Sequence, residues 1–166
     1  LVRMLIVVLL GLALVTAQTK PRARGIGVPF EGTPGALNGL TDVAGIEVGH
    51  HTLIEGASIR TGVTAIWPRG RNSSDPVFGG WFSLNGNGEM TGTTWLEESG
   101  FVDGPIMITN THSVGVVRDA FISWQVKNQR APATNSFQGR FWSLPIVAAT
   151  YDGFLNYTNG FHLKPE

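Results

Sequence analysis

The sequence predicts a mixed α/β (α+β) domain, and three observations carry the prediction. Short β-branched and apolar runs read as strands, of which residues 61–67 are the clearest. In the second half, an apolar run at 105–109, a helix-periodic segment and a further apolar run at 141–150 follow in the order strand, helix, strand. That order is the pattern of a crossover unit. The 166 residues include 22 glycines without a collagen-like period, so tight turns and close backbone approaches are frequent.

The elements are justified in chain order. Residues 1–17 carry Arg3, an apolar run from Met4 to Val15 broken by Gly11, and small residues at Val15-Thr16-Ala17. This is the pattern of a secretory signal cleaved after Ala17, and the run is too short for a comfortable membrane span. Residues 18–24 form a polar, basic linker. Residues 25–45 interleave Gly and Pro with apolar side chains and read as an ordered, turn-rich loop. Alternation around Ile46 and Val48 predicts a strand within 43–54. Pro68 closes the strand at 61–67, and a third strand is expected within 77–84, weakened by Gly79 and Gly80.

Asn85-Gly86-Asn87-Gly88 is the strongest turn signal in the chain. A short helix follows, with Thr94 and Glu97 at capping-box spacing and Gly100 as its stop. Val114, Val117, Phe121 and Trp124 recur at helical spacing, with Arg118, Asp119 and Gln125 turned elsewhere and Ser113 as a candidate N-cap. Residues 128–140 read as a loop.

The composition excludes several function classes. Formal net charge is zero, so no basic field invites nucleic acid or an anionic membrane. There is no cysteine, which removes disulfides, thiolate nucleophiles and cysteine-type zinc sites. The chain has no Gly-x-Ser-x-Gly elbow, phosphate-binding loop or His-Glu-x-x-His helix. Of the histidines, His50 and His51 are adjacent and point to opposite faces of a strand, so they do not readily share a metal. No metal site is expected. Glu97 and Glu98 read as a solvated helix face. Asn110-Thr111-His112-Ser113, between a strand and a helix, offers backbone N–H groups that could hold an oxyanion, although a plain helix cap is the better account. Tyr151 follows the last strand. Its hydroxyl could donate to an oxyanion, or its ring could simply fill a turn.

Several motifs resemble those of a known family. They are Gly27-Val28-Pro29-Phe30-Glu31-Gly32-Thr33-Pro34-Gly35, Leu40-Thr41-Asp42-Val43-Ala44-Gly45, Arg60-Thr61-Gly62-Val63-Thr64, Asn85-Gly86-Asn87-Gly88-Glu89-Met90-Thr91-Gly92, Thr109-Asn110-Thr111-His112-Ser113 and Tyr151-Asp152-Gly153. In order and spacing they resemble peptidase family S58, that of the L-aminopeptidase/D-esterase and the β-peptidyl aminopeptidases, over residues 24–166. The resemblance implies part of a four-layer α-β-β-α sandwich. It also implies a precursor that cleaves itself into two chains, the second beginning with a nucleophilic Ser activated by its own amino group. Such enzymes release N-terminal L-, D- or β-residues from peptides, amides or esters without a metal or organic cofactor.

On this reading residues 25–166 are the incomplete N-terminal portion of an aminopeptidase domain, and the nucleophile lies outside this sequence. Tyr151 matches the oxyanion-stabilising tyrosine. Trp142 matches an aromatic near the substrate pocket, and Asn85 and Asn87 belong to a turn close to the active centre. Ala149 departs from the family pattern, which places a Glu two residues before the Tyr to pair with the substrate's free amine. Expected partners are the substrate, the protein's own C-terminal chain after self-cleavage, and further copies in a homo-oligomer. A secreted or periplasmic location is expected, with no membrane association once the signal is removed. The alternative is an inactive binding or scaffold remnant of the same fold, which Ala149 favours.

Overall fold

The computed structural model describes residues 20–132, 136–138 and 140–165; the expected signal at 1–17 lies outside the described residues. The chain divides into two units, residues 1–33 and 34–166. In the first, a 3-10 turn at Ala23–Ile26 ends on Gly27 at φ 87°. The Arg24 guanidinium donates to the carbonyls of Phe30 (3.0 Å) and Glu31 (2.8 Å).

The second unit carries strands β1 (Glu47–Glu55), β2 (Ile59–Trp67) and β3 (Val77–Phe78), helix α1 (Thr93–Ser99), strands β4 (Phe101–Val102) and β5 (Ile106–Asn110), helix α2 (Val114–Lys127), and strands β6 (Ser136–Phe137), β7 (Arg140–Phe141) and β8 (Ile146–Thr150). The main sheet has the order β1-β2-β5-β8. β1, β2 and β5 pair antiparallel, and β5 pairs β8 in parallel with Met107 opposite Val147. The expected crossover is therefore β5-α2-β8. β3 pairs β4, and β6 pairs β7, in two small ladders.

Strand alternation sorts the sheet into two faces. Val63, Ala65, Met107, Val147 and Ala149 share one face with the α2 residues Val114, Val117 and Phe121; Met107, Val114, Val117 and Val147 form its buried centre. Val147 is fully buried and Val114 is 1% exposed. A second cluster joins Ile146 on the opposite face to Leu96 of α1 and Val102 of β4. At one end Phe121 stacks on Trp124 and Trp67 meets both edge-on, with centroids 5.7–6.2 Å apart.

Several expectations are corrected. α1 begins at Thr93 on Gly92, which lies at φ 75° and provides no side-chain cap, so Thr94 and Glu97 make no capping box. A Cβ at Gly92 would come 2.8 Å from the Leu144 carbonyl oxygen, so the chain has room only for glycine there. Gly100 does end the helix, its N–H donating to the Leu96 carbonyl. Gln125 is buried, not turned away, because it sits four residues beyond Phe121 and eight beyond Val117 on the same helix face. The third strand is two residues long, since Gly79 and Gly80 follow it. The run at 141–150 pairs in the main sheet only from Ile146, because Pro145 has no N–H for a ladder. The loop at 128–140 holds most of the β6-β7 ladder.

Candidate active site

The cavity of interest lies at the C-terminal ends of the parallel pair β5 and β8. Strand pairing brings those ends together, with Asn110 opposite Thr150. In crossover units ligands collect at such ends, because the chain leaves each strand there in a loop and the following helix presents its N-terminus. The cleft has a volume of about 940 Å³. Its walls come from four segments: the Gly86–Glu89 turn, the β5-α2 junction (Thr111, His112, Gly115), the end of β8 (Ala149, Thr150, Tyr151) and the loop carrying Thr158, Asn159 and Phe161.

The junction is held by a buried amide. Asn110 is 5% exposed; its Nδ2 donates to Thr61 Oγ1 (2.7 Å) and its Oδ1 accepts from the Ser113 N–H (3.1 Å). One side chain thus ties β5 to β2 and caps the turn leading into α2. Ser113 precedes α2 but makes no side-chain cap, so the cap expected of it is not formed; Asn110 caps the 3-10 turn Thr111–Ser113 just before the helix. Thr109 Oγ1 donates to the Gly62 carbonyl (2.9 Å) and reinforces the same join. His112 stacks on Phe161, with centroids 5.4 Å apart and planes at 14°.

The Gly-rich turn reaches the cavity through a short antiparallel bridge to the free edge of β8. Met90 pairs with Ala148. The Thr91 N–H donates to the Val147 carbonyl (3.0 Å), and the Ala149 N–H donates to the Glu89 carbonyl (2.8 Å). Thr91 Oγ1 donates to the Pro145 carbonyl (2.6 Å) and accepts from the Val147 N–H (3.0 Å). Asn85 Oδ1 accepts from the Asn87 N–H (3.0 Å), an Asx turn that shapes the loop.

Tyr151 and Asn87 both line the cavity. Tyr151 is 70% exposed and packs edge-on to Phe154 at 5.5 Å. A Cβ at Gly153 would collide with the Tyr151 ring, so Gly153 is what lets the ring fold back over its own turn. Asn85 stands one step behind the wall, and Trp142, 53% exposed, does not line it. His50 lies outside the cavity, its ring nitrogens paired with Thr64 Oγ1 (2.6 Å) and Thr52 Oγ1 (2.8 Å). His51 points to the other face, beside Leu53 and Val63. Glu97 and Glu98 are exposed.

Sequence reasoning alone does not single out Glu89, Asn159 or Phe161 as cavity residues. Glu89 has a visible signal, since it closes the Gly-rich turn. The loop at 158–161 has none, because its approach depends on a 3-10 turn that only the tertiary fold fixes.

The model of peptidase family S58 matches residues 38–166. The β-peptidyl aminopeptidase BapA of Sphingosinicella microcystinivorans is 56% identical over 154 residues, 88% of this chain and 37% of its own length. The protein of the same name from Sphingosinicella xenopeptidilytica is 43% identical, over 98% of this chain and 41% of its own length. Among solved structures, the L-aminopeptidase D-Ala-esterase/amidase of Ochrobactrum anthropi, a variant of the Ntn-hydrolase fold, superposes with a TM-score of 0.75 at 44% identity. It is covered to 42%, and this chain to 88%. A Burkholderia sp. β-aminopeptidase gives 0.74 at 44% identity, with 40% of it and 87% of this chain covered. The chain therefore spans about two fifths of the length of these relatives, and it belongs to peptidase family S58.

Proposed function

We propose that this chain is the N-terminal part of a self-processing serine aminopeptidase that releases N-terminal L-, D- or β-amino acids from peptides, amides or esters. The observation that carries the reading is the cavity at the ends of β5 and β8, where Tyr151, the Asn87 turn and the start of α2 converge. Family membership and the similarity to named aminopeptidases support it.

In this reading, residues beyond this sequence supply a Ser at the head of a second chain. Its hydroxyl attacks the scissile carbonyl, and its free amino group takes up the proton and returns it to the leaving amine or alcohol. The Tyr151 hydroxyl donates to the oxygen that becomes negative, and water then releases the amino acid. No metal or organic cofactor enters this scheme. The Gly-rich turn at 85–88 forms one wall for the substrate, and Trp142 joins it where the second chain completes the site. The domain in this scheme is residues 25–166, behind a signal at 1–17 and a linker at 18–24. Export to a secreted or periplasmic location follows from that signal; no helix among the described residues is long and apolar enough to cross a membrane. Assembly with the cleaved C-terminal chain and into a homo-oligomer belongs to the same reading.

The test is turnover of an amino-acid p-nitroanilide by the full-length protein and its Tyr151→Phe variant. Loss of one oxyanion donor is expected to lower kcat by roughly 10²–10³-fold. Near-normal turnover in the variant would remove Tyr151 from the mechanism.

A further inference from the structure

An enzyme that acts only at a chain's N-terminus must recognise the substrate's free ammonium group, and a cation is best met by a carboxylate. The resemblance described above implies a carboxylate at position 149, where this chain has Ala. From the cavity's construction we infer that Glu89 anchors the substrate ammonium in its place. This inference rests on the aminopeptidase reading above and names a specificity residue within the same site.

Three observations carry it. First, Glu89 is the one carboxylate among the residues lining the cleft. Second, its position is fixed by the bridge to β8. With Met90 opposite Ala148 in antiparallel pairing, Glu89 stands directly opposite Ala149, and the Ala149 N–H donates to the Glu89 carbonyl at 2.8 Å. Directly opposed residues have Cβ atoms about 4.5–5.5 Å apart on one face. Glu89 therefore delivers its charge into the space beside the Ala149 methyl, with Tyr151 two residues further along. Third, Glu89 is exposed, and neither the Arg71–Glu47 nor the Arg118–Asp119 ion pair uses it.

The test is steady-state kinetics of the full-length protein on β-alanine p-nitroanilide. A charged hydrogen bond lost from substrate binding is expected to raise KM about 10- to 100-fold in Glu89→Gln, with a smaller change in kcat. Glu89→Asp keeps the charge and is expected to fall between. The double variant Glu89→Gln/Ala149→Glu, which returns a carboxylate to the facing position, is expected to recover most of the loss. A merely structural role for Glu89 would not be rescued from across the bridge. Wild-type turnover with an unchanged KM in Glu89→Gln overturns the Glu89 assignment alone. If Glu89→Gln fails to fold, Glu89→Asp decides instead, and a wild-type KM there overturns the assignment. Wild-type protein that leaves the β-alanine, L-alanine and D-alanine p-nitroanilides all intact overturns the aminopeptidase reading and the assignment together.

Discussion

At the β5-β8 end of the sheet, Met107 is 4% exposed and Val147 is fully buried beneath α2, while Ile146 on the opposite face is covered by Leu96 and Val102. At the β1 end the same strand alternation produces a different surface: Val48 is 41% and Ile54 62% exposed, and β1 is exposed along its length except at Leu53. The contrast shows that burial in this fold is set by what covers a strand. The crossover β5-α2-β8 covers itself with residues close in sequence. β1 is paired by β2 alone among the described strands and lies at the edge of the sheet. The cavity is built at the covered end, where backbone held from both sides can keep Tyr151 and the Gly-rich turn in register.

This comparison can be broken or sharpened by mutation, and the largest effect is expected at the covered end. Met107→Ala should cost about 2–5 kcal/mol of stability by urea titration, since the site is enclosed by Val117 and Val147 and cannot collapse freely. Asn110→Ala is expected to cost about 1–3 kcal/mol, because it leaves the Thr61 hydroxyl and the Ser113 N–H without their buried partner. Loosening that junction should also raise the hydrogen-exchange rate of the amides at the start of α2, a readout that Met107→Ala should share less. The smallest effect is expected at Ile54→Ser, within about 0.5 kcal/mol of wild type. A cost at Ile54 matching that at Met107 would mean that β1 is covered in the working protein, and the contrast would then belong to this chain alone.

Much of the architecture is legible in the sequence because the covered end is made of local signals. The helical spacing of Val114, Val117 and Phe121 and the apolar run ending at Thr109 require the crossover, and the structure contains it. Boundaries fail where backbone chemistry competes with side-chain pattern. Pro145 delays β8, Gly79 and Gly80 cut β3 short, and Gly92 starts α1 without a cap. Gln125 misleads because its polarity conceals its position on the stripe of Val117 and Phe121.

The candidate site is legible only in pieces. The Gly-rich turn and Tyr151 are 63 residues apart, counted from Gly88 to Tyr151 (151 − 88), and neither signals the other. Their meeting depends on the bridge from Met90 to Ala148, which no local pattern encodes. The motif resemblance names Tyr151 and the Gly-rich loop points to Asn87, and both line the cleft. The resemblance also names Trp142, which stands apart from the cleft on the exposed segment before β8.

The central claim is that this chain is one part of a self-processing aminopeptidase. Intact-mass and N-terminal analysis of the protein purified from its native source, under denaturing and native conditions, tests it most directly. A second chain beginning with Ser is expected, co-purifying with this one and separating only on denaturation. A single chain ending at Glu166, with no partner under native conditions, would contradict the claim.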